Sequence, residues 1–216
     1  MTTYDVDWAA GEEAKRDWLA ANGMYAHEEE RSSCGVGLVV SIDGTPSRRV
    51  VQAGIDALKA IWHRGAVDAD GKTGDGAGIH VQIPVPFFYD QIRRTGHEPD
   101  ESRLVAVGQV FLPRTDFGAQ ETCRTIVESE VLRMGHKIYG WRHVPVDITC
   151  LGEKANATRP EIEQILISDA KGLGEEAFER ELYVIRRRIE KAAAAAGVGA
   201  LYIASLSCRS IIYKGM

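Results

Sequence analysis

The residues best suited to chemistry lie close together near the start of this 216-residue sequence. Cys34 stands between Ser33 and a glycine, His63-Arg64-Gly65 follows, and residues 73–78 (TGDGAG) form a glycine-rich segment after that. A thiol is a nucleophile, and a guanidinium can bind both oxygens of a carboxylate. This stretch therefore predicts a site for a small substrate that carries a carboxylate.

Cys34 would gain reactivity if cleavage of the chain made it the first residue. Its own α-amino group, with a pKa of about 7.7–8.0, could then accept the thiol proton at physiological pH. Nucleophile and base would lie on one residue, which fits the lack of a convincing Cys-His-Asn set in the sequence. Gly35 and Gly37 leave the approach to the sulfur open. The alternative is a buried structural cysteine, because free cysteine is among the most buried residue types.

Arg64 is the candidate for binding a substrate carboxylate, because its planar fork matches two oxygens. The alternative is a surface arginine near the end of a helix, where the helix dipole favours a cation. Asp75 suits substrate binding and a turn or capping role equally well. For His63 a structural role is favoured over proton transfer.

The composition indicates a soluble globular protein. The chain is 44% hydrophobic and 26% charged, and no apolar run approaches the roughly 20 residues that span a bilayer. The N-terminus lacks the basic and apolar regions of a secretory signal. The four cysteines form neither a Cys-x-x-Cys pair nor a zinc spacing, which predicts a reduced cytoplasmic setting and no metal site.

The charge is unevenly placed along the chain. Residues 1–33 contain eight acidic and three basic residues, a net charge of −5, and the rest of the chain is balanced. An acidic leader followed by a domain of balanced charge does not provide the excess of Lys and Arg that nucleic-acid binding needs. Weak helical periodicity around Trp8 and Leu19 is interrupted by Gly11 and Asn22-Gly23. This segment is predicted to be either a solvated arm or a propeptide cut before Cys34.

The hydrophobic patterns predict a mixed α and β fold with mostly short strands. A helix opened by Ser47, with Val51, Ile55 and Leu58 on one face, is expected to deliver His63-Arg64-Gly65 at its end. Residues 68–78 are predicted to be a loop because of their glycine content, and Pro84 and Pro86 to stop the strand before them. Cys123, Cys150 and Cys208 are expected to be packing residues. The predicted strands are 35–42, 79–83, 104–112, 138–146, 160–167, 201–207 and 210–213, the last two paired with each other, and the other helices are 117–134 and 175–196.

Several motifs taken together resemble the glutaminase domain of the glutamate synthase family, which belongs to the class II glutamine amidotransferases. The resemblance covers residues 34–216, and the set is specific although no single motif is. The motifs are CGVGL from Cys34, HRGAV from His63, TGDGAG from Thr73, QIP from Gln82, LYIASLS from Leu201 and IYKGM from Ile212.

The resemblance implies a division of the chain and a set of site residues. Residues 1–33 would be a propeptide, and residues 34–216 the N-terminal part of a class II amidotransferase domain. Cys34 would be the nucleophile, Arg64 would bind the α-carboxylate of glutamine, and Gly65 and Asp75 would complete the substrate site. The implied fold is α+β, of the N-terminal-nucleophile hydrolase type: a four-layer αββα sandwich of two antiparallel sheets between helices, incomplete in this chain.

The implied reaction is hydrolysis of glutamine to glutamate and ammonia through a glutamyl thioester. In the full enzyme the ammonia would meet 2-oxoglutarate at a synthase domain. The implied cofactors are FMN, an iron-sulfur cluster and NAD(P)H with FAD on a small reductase subunit, none of them bound by this segment. The remaining partner would be the rest of the large subunit, with no nucleic acid and no membrane.

The sequence departs from the family pattern at the oxyanion hole, which should come from an Asn-Gly pair downstream of the nucleophile. The sole Asn-Gly is Asn22-Gly23, in the leader. We therefore expect this chain to be the front part of a larger protein and to be weakly active or inactive alone. Two alternatives are a non-catalytic assembly module of the same fold and another class II amidotransferase, against which the TGDGAG segment argues.

Overall fold

The computed structural model describes residues 6–23, 26, 35–61, 67–74 and 76–215. The chain divides into two compact units, residues 1–38 and 39–216. The described part of the first unit contains one helix, α1 (Val6–Asn22), which passes through Gly11 without a break. It ends where the predicted Asn22-Gly23 interruption stands, with the backbone N–H of Gly23 donating to the carbonyl of Leu19 at 2.8 Å.

The second unit contains two antiparallel sheets and five helices among the described residues. The elements in chain order are α2 (Arg48–Ala60), β1 (Ala77–Gln82), α3 (Val85–Arg94), β2 (Val105–Leu112), α4 (Phe117–Arg133), β3 (Lys137–His143), α5 (Glu153–Thr158), β4 (Glu161–Ser168), α6 (Glu175–Ala195), β5 (Tyr202–Ser207) and β6 (Ser210–Gly215). The four-stranded sheet has the strand order β3-β4-β2-β5, and the two-stranded sheet pairs β1 with β6.

One face of the four-stranded sheet is covered by α4 and α6. Alternate residues of β2 and β4 point into this layer, where they meet apolar residues of the two helices. Gly108 of β2 lets the Ile165 side chain of β4 lie close to its backbone, since a Cβ at position 108 would be 2.6 Å from Cγ2 of Ile165. The fully buried members include Ala106, Val110, Ile165, Ile167, Val131, Phe178, Leu182, Ile185 and Ile189.

The opposite face of the same sheet is covered by α3 and by strand β6. Phe88 and Ile92 of α3 and Ile211 of β6 pack against Val107 and Leu166 of the sheet. Helix α3 was not predicted from the sequence, because Pro84 and Pro86 indicated the end of a strand and no helix after it. Proline is tolerated in the first turn of a helix, where its missing N–H has no intrahelical partner.

Most predicted elements are confirmed within a few residues. The strands predicted at 104–112 and 160–167 are β2 and β4, and the predicted helices 117–134 and 175–196 are α4 and α6. Gly135 follows α4 with a φ of 79°, the left-handed conformation in which glycine commonly ends a helix. The strand predicted at 138–146 is the shorter β3, and the short helix α5 was not predicted.

Two strand predictions are wrong. Residues 35–42 are not a strand, because no described strand pairs with them and a strand needs a neighbour for its backbone groups. The last two strands exist but are not paired with each other: β5 pairs with β2 and β6 with β1. Strand β1 also begins at Ala77 rather than Ile79, so the predicted loop is two residues shorter.

The fold class is a mixed α and β protein with antiparallel sheets. No helix within the described residues is long and apolar enough to cross a membrane.

Candidate functional site

The predicted site residues Cys34, Arg64, Gly65 and Asp75 all lie outside the described residues, as does His63. Their roles therefore stay predictions. The structure does describe the elements that flank them: α2 before residues 62–66, the segment 67–74 between those residues and Asp75, and β1 directly after.

Helix α2 forms where the sequence predicts it. The hydroxyl of Ser47 accepts a hydrogen bond from the backbone N–H of Val50 at 3.4 Å, which caps the first turn. The helix runs to Ala60, so it ends just before the HRG motif. Gly54 faces β1, and a Cβ there would lie 3.4 Å from Cδ1 of Ile79. The helix that precedes the motif is thus placed against the strand that follows it.

The segment 67–74 is a closed turn. Val67 and Gly74 form an antiparallel bridge, and the N–H of Asp68 donates to the carbonyl of Thr73 at 2.7 Å. Gly71 has a φ of 69°, a conformation that favours glycine. The turn therefore places Val67, which directly follows residues 62–66, next to Gly74, which directly precedes Asp75.

The Asp70 carboxylate stabilises this turn by hydrogen bonds to other residues of the turn. One of its oxygens accepts from the backbone N–H of Lys72 at 2.9 Å and of Thr73 at 2.7 Å, and the other accepts from the Thr73 hydroxyl at 2.5 Å. The hydrogen bond from the Thr73 hydroxyl, followed by those from the two backbone N–H groups, holds the pKa of the Asp70 carboxyl well below its usual range.

Residues at the start of α5 contact the turn. The ammonium of Lys154 lies 2.8 Å from both carboxylate oxygens of Asp68. Gly152 lies so close that a Cβ there would be 2.2 Å from Oδ2 of Asp70 and 2.2 Å from the Thr73 hydroxyl. Any side chain at position 152 must displace the turn.

Strand β1 leaves the turn and pairs with β6 along its whole length. A Cβ at Gly78 would lie 3.0 Å from the carbonyl of Tyr213, and the His80 ring lies 2.6 Å from the Ser210 hydroxyl. The position of β1 is therefore tied to that of β6.

The three described cysteines are free thiols in different surroundings. Cys123 is buried, as predicted, and burial raises the pKa of its thiol. Burial, with the Glu179 carboxylate as a second cause, raises the pKa of Cys208 to about 12. The packing prediction is wrong for Cys150, which is exposed and donates to the carbonyl of Asp147 at 3.3 Å. Neither Cys123 nor Cys208 supplies thiolate at neutral pH.

A row of polar side chains, not predicted from the sequence, crosses the four-stranded sheet on the face toward β6. The row contains Arg142, Gln164, Gln109 and Ser205, each the register partner of the next. The amide of Gln164 donates to Gln109 at 2.8 Å and to the Tyr213 hydroxyl of β6 at 3.2 Å. A glutamine in the middle of each of two apolar strands was the signal that could have revealed it.

No group of three or more His, Cys, Asp and Glu side chains in the described part of the chain could hold a metal ion.

The comparisons with known proteins identify the family. The family model of the class II glutamine amidotransferases matches residues 34–216, and its first matched residue is Cys34. The chain belongs to this enzyme family.

Its relatives include the large chains of glutamate synthases. It is 59% identical over 92% of its length to the glutamate synthase [NADPH] large chain of Azospirillum brasilense. It is 38% identical to the ferredoxin-dependent glutamate synthase 1 of Arabidopsis thaliana over 87% of its length, and 35% identical to the glutamate synthase [NADPH] large chain of Bacillus subtilis over 91%. The chain spans 12–13% of the length of these relatives.

Proposed function

We propose that this chain is the glutaminase part of a glutamate synthase, and that Cys34 is its nucleophile. The observation that carries the proposal is the family match, which begins at Cys34 and continues to residue 216. The names of the relatives support glutamate synthase over other amidotransferases. In the whole protein the released ammonia would be transferred to 2-oxoglutarate to form glutamate.

The proposed reaction begins with removal of residues 1–33, which frees the α-amine of Cys34. That amine accepts the thiol proton, and the sulfur attacks the side-chain amide carbon of glutamine. The tetrahedral intermediate collapses, the C–N bond breaks and ammonia leaves with the transferred proton. Water then hydrolyses the thioester, which releases glutamate and restores the thiol.

The proposed substrate site is formed by Arg64, Gly65 and Asp75. Arg64 holds the α-carboxylate of glutamine through paired N–H groups. The turn at residues 67–74 supports this assignment, because its closing bridge joins Val67 and Gly74, next to the two predicted parts of the site.

The proposed architecture is the four-layer αββα sandwich. Three features support it: α4 and α6 cover one face of the four-stranded sheet, β6 packs on the other face, and β6 belongs to a second antiparallel sheet. Helix α2 lies beside β1 of that second sheet.

The FMN, the iron-sulfur cluster and the reductase subunit are assigned to other parts of the enzyme. The relative from Azospirillum brasilense is named for NADPH, which supports NADPH as the electron donor. The proposed location is the cytoplasm.

Labelling of the full-length processed protein with a chloroketone analogue of glutamine tests the nucleophile. We expect one label, at Cys34, and we expect this label to inhibit glutamine hydrolysis. Cys34→Ala should abolish the labelling. Cys150→Ala is the matched control, because Cys150 is an exposed thiol and its removal should leave labelling unchanged. Labelling that persists in Cys34→Ala would refute the assignment.

Intact-mass measurement of the same protein tests the leader. A mature chain that begins at Cys34 supports the proposed base. A chain that retains residues 1–33 would leave Cys34 without an α-amine and would favour the non-catalytic module.

A further inference from the structure

Arg142 stands at the edge of the four-stranded sheet, at the end of the polar row. Its Nε donates to the Gln91 side-chain oxygen of α3 at 3.1 Å, and its Nη1 donates to the Gln164 oxygen at 2.8 Å. The guanidinium also lies over the ring of Phe87, 5.2 Å from the centroid. Two elements, α3 and β4, thus hold the side chain in one position.

The charge of Arg142 is not neutralised within the described residues. Arg124 and Arg188, which are also half-buried, bind the buried carboxylates of Glu163 and Glu130 at 2.6 Å. The partners described for Arg142 are two neutral amides and an aromatic ring. A cation withdrawn from water without a counter-ion is costly, so its surroundings favour an anion.

Burial lowers the pKa of the Arg142 guanidinium; the nearby Tyr213 hydroxyl opposes this shift, and the positive charge of Arg94 adds to it. Phe87, Gln91 and Arg94 follow one another at helical spacing along one side of α3. Arg94 therefore lies on the side of α3 whose Phe87 and Gln91 contact Arg142. The described residues give Arg94 no ion pair.

We propose that Arg142 and Arg94 bind a carboxylate at the edge formed by β3 and α3. Gln91 and Gln164 occupy Nε and one hydrogen of Nη1, so Nη2 and the second Nη1 hydrogen remain for the ligand. Two parallel N–H groups on one guanidinium fit the two oxygens of a carboxylate. The carboxylate belongs either to a small free acid or to an Asp or Glu side chain elsewhere in the full-length protein.

Calorimetric titration of the full-length protein with succinate, at constant ionic strength set with sodium chloride, tests the first source. We expect saturable binding that Arg142→Gln weakens by roughly tenfold or more, because a charge-assisted pair of hydrogen bonds is lost. Arg142→Lys should recover part of the affinity, since it keeps the charge and loses the fork. Arg94→Gln should weaken binding less than Arg142→Gln.

Arg93→Gln is the matched control, because it removes the same charge from the neighbouring residue of the same helix. Arg93 is already paired with Asp90, Glu98 and Glu101, so succinate affinity should not change. Equal weakening by Arg93→Gln and Arg94→Gln would overturn the proposal, since it would indicate a general charge effect.

Structures of the full-length protein with and without succinate distinguish the sources. Succinate oxygens on Arg142 support the free acid, and an Asp or Glu oxygen within about 4 Å of Arg142 in both structures supports the side chain. The proposal is overturned if neither carboxylate is found and calorimetry detects no binding. Thermal unfolding of Arg142→Gln and Arg142→Lys checks that both variants are folded.

Discussion

The four-stranded sheet and the described residues between 35 and 82 differ in the contacts that they make. Strands β2 and β4 are buried on both faces, between α4 and α6 on one side and α3 and β6 on the other. In contrast, α2 has no buried residue, and Val36 and Leu38 are 93% and 87% exposed. The segment that flanks the predicted site is ordered by short polar contacts, whereas the sheet is ordered by apolar burial.

This difference separates stability from positioning. Substitutions in the sheet should change the free energy of unfolding, because burial and packing dominate there. Substitutions around the turn at residues 67–74 should chiefly change how the site is presented.

The largest effect on stability is expected from a matched pair of leucines. Leu182 is fully buried between α6 and the four-stranded sheet, and Leu58 is half-buried on α2. Leu182→Ala should lower the free energy of unfolding by about 3 kcal/mol, because it removes buried methyl groups and leaves a cavity. Leu58→Ala should cost below about 1.5 kcal/mol. Urea unfolding of both variants measures the difference, and equal losses would contradict the comparison.

An intermediate effect is expected at Gly152. Gly152→Ala places a Cβ into Asp70 and Thr73, so the turn must shift, at a cost of about 1–3 kcal/mol. In the processed full-length enzyme the KM for glutamine should rise more than kcat falls, because the substrate site is displaced. Gly199→Ala is the control, since nothing lies within 4 Å of a Cβ there. An unchanged KM in Gly152→Ala would show that the turn does not position the substrate.

The smallest effect is expected from the charge of Asp70. The pKa of this carboxyl is lower in the folded chain than in the unfolded chain, mainly through the Thr73 hydroxyl. The ionised carboxylate therefore makes its full contribution to stability above about pH 4, the pKa of the group in the unfolded chain. That contribution is lost as the pH falls through the lower pKa of the group in the folded chain.

Asp70→Asn should accordingly lower the melting temperature at pH 7, with a difference from the native chain that shrinks below about pH 4. Thr73→Val should reproduce part of this pH dependence, because it removes the hydroxyl donor. A difference that grows on acidification would contradict the proposed role of the Asp70 carboxylate.

The elements with their own core were predictable from the sequence. Strand β2 is a continuous apolar run, and α4 has a capping Asp116, whose carboxylate accepts from the N–H of Ala119, and a terminal Gly135. Helix α3 was visible in the spacing of Phe88 and Ile92, but the two prolines were given too much weight. These signals are local, so the sequence contains them.

The segment near the candidate site was less predictable for a physical reason. Residues 35–42 have the composition of a buried strand, yet strand formation depends on a partner that composition does not specify. Likewise, the approach of Gly152 to Asp70 joins residues far apart in the chain. The motifs predicted the family, which the comparisons confirm, while the roles of Cys34, Arg64, Gly65 and Asp75 stay predictions.

The corner between β5 and β6 has a mechanical consequence. Just two residues, Cys208 and Arg209, join strands that belong to different sheets. The Glu179 carboxylate of α6 binds this corner: it accepts hydrogen bonds from the Ser207 hydroxyl at 2.8 Å and from the Cys208 N–H at 2.6 Å. So short a tether, anchored to a helix, keeps the start of β6 within a few ångströms of the end of β5, which fixes where the second sheet begins relative to the first.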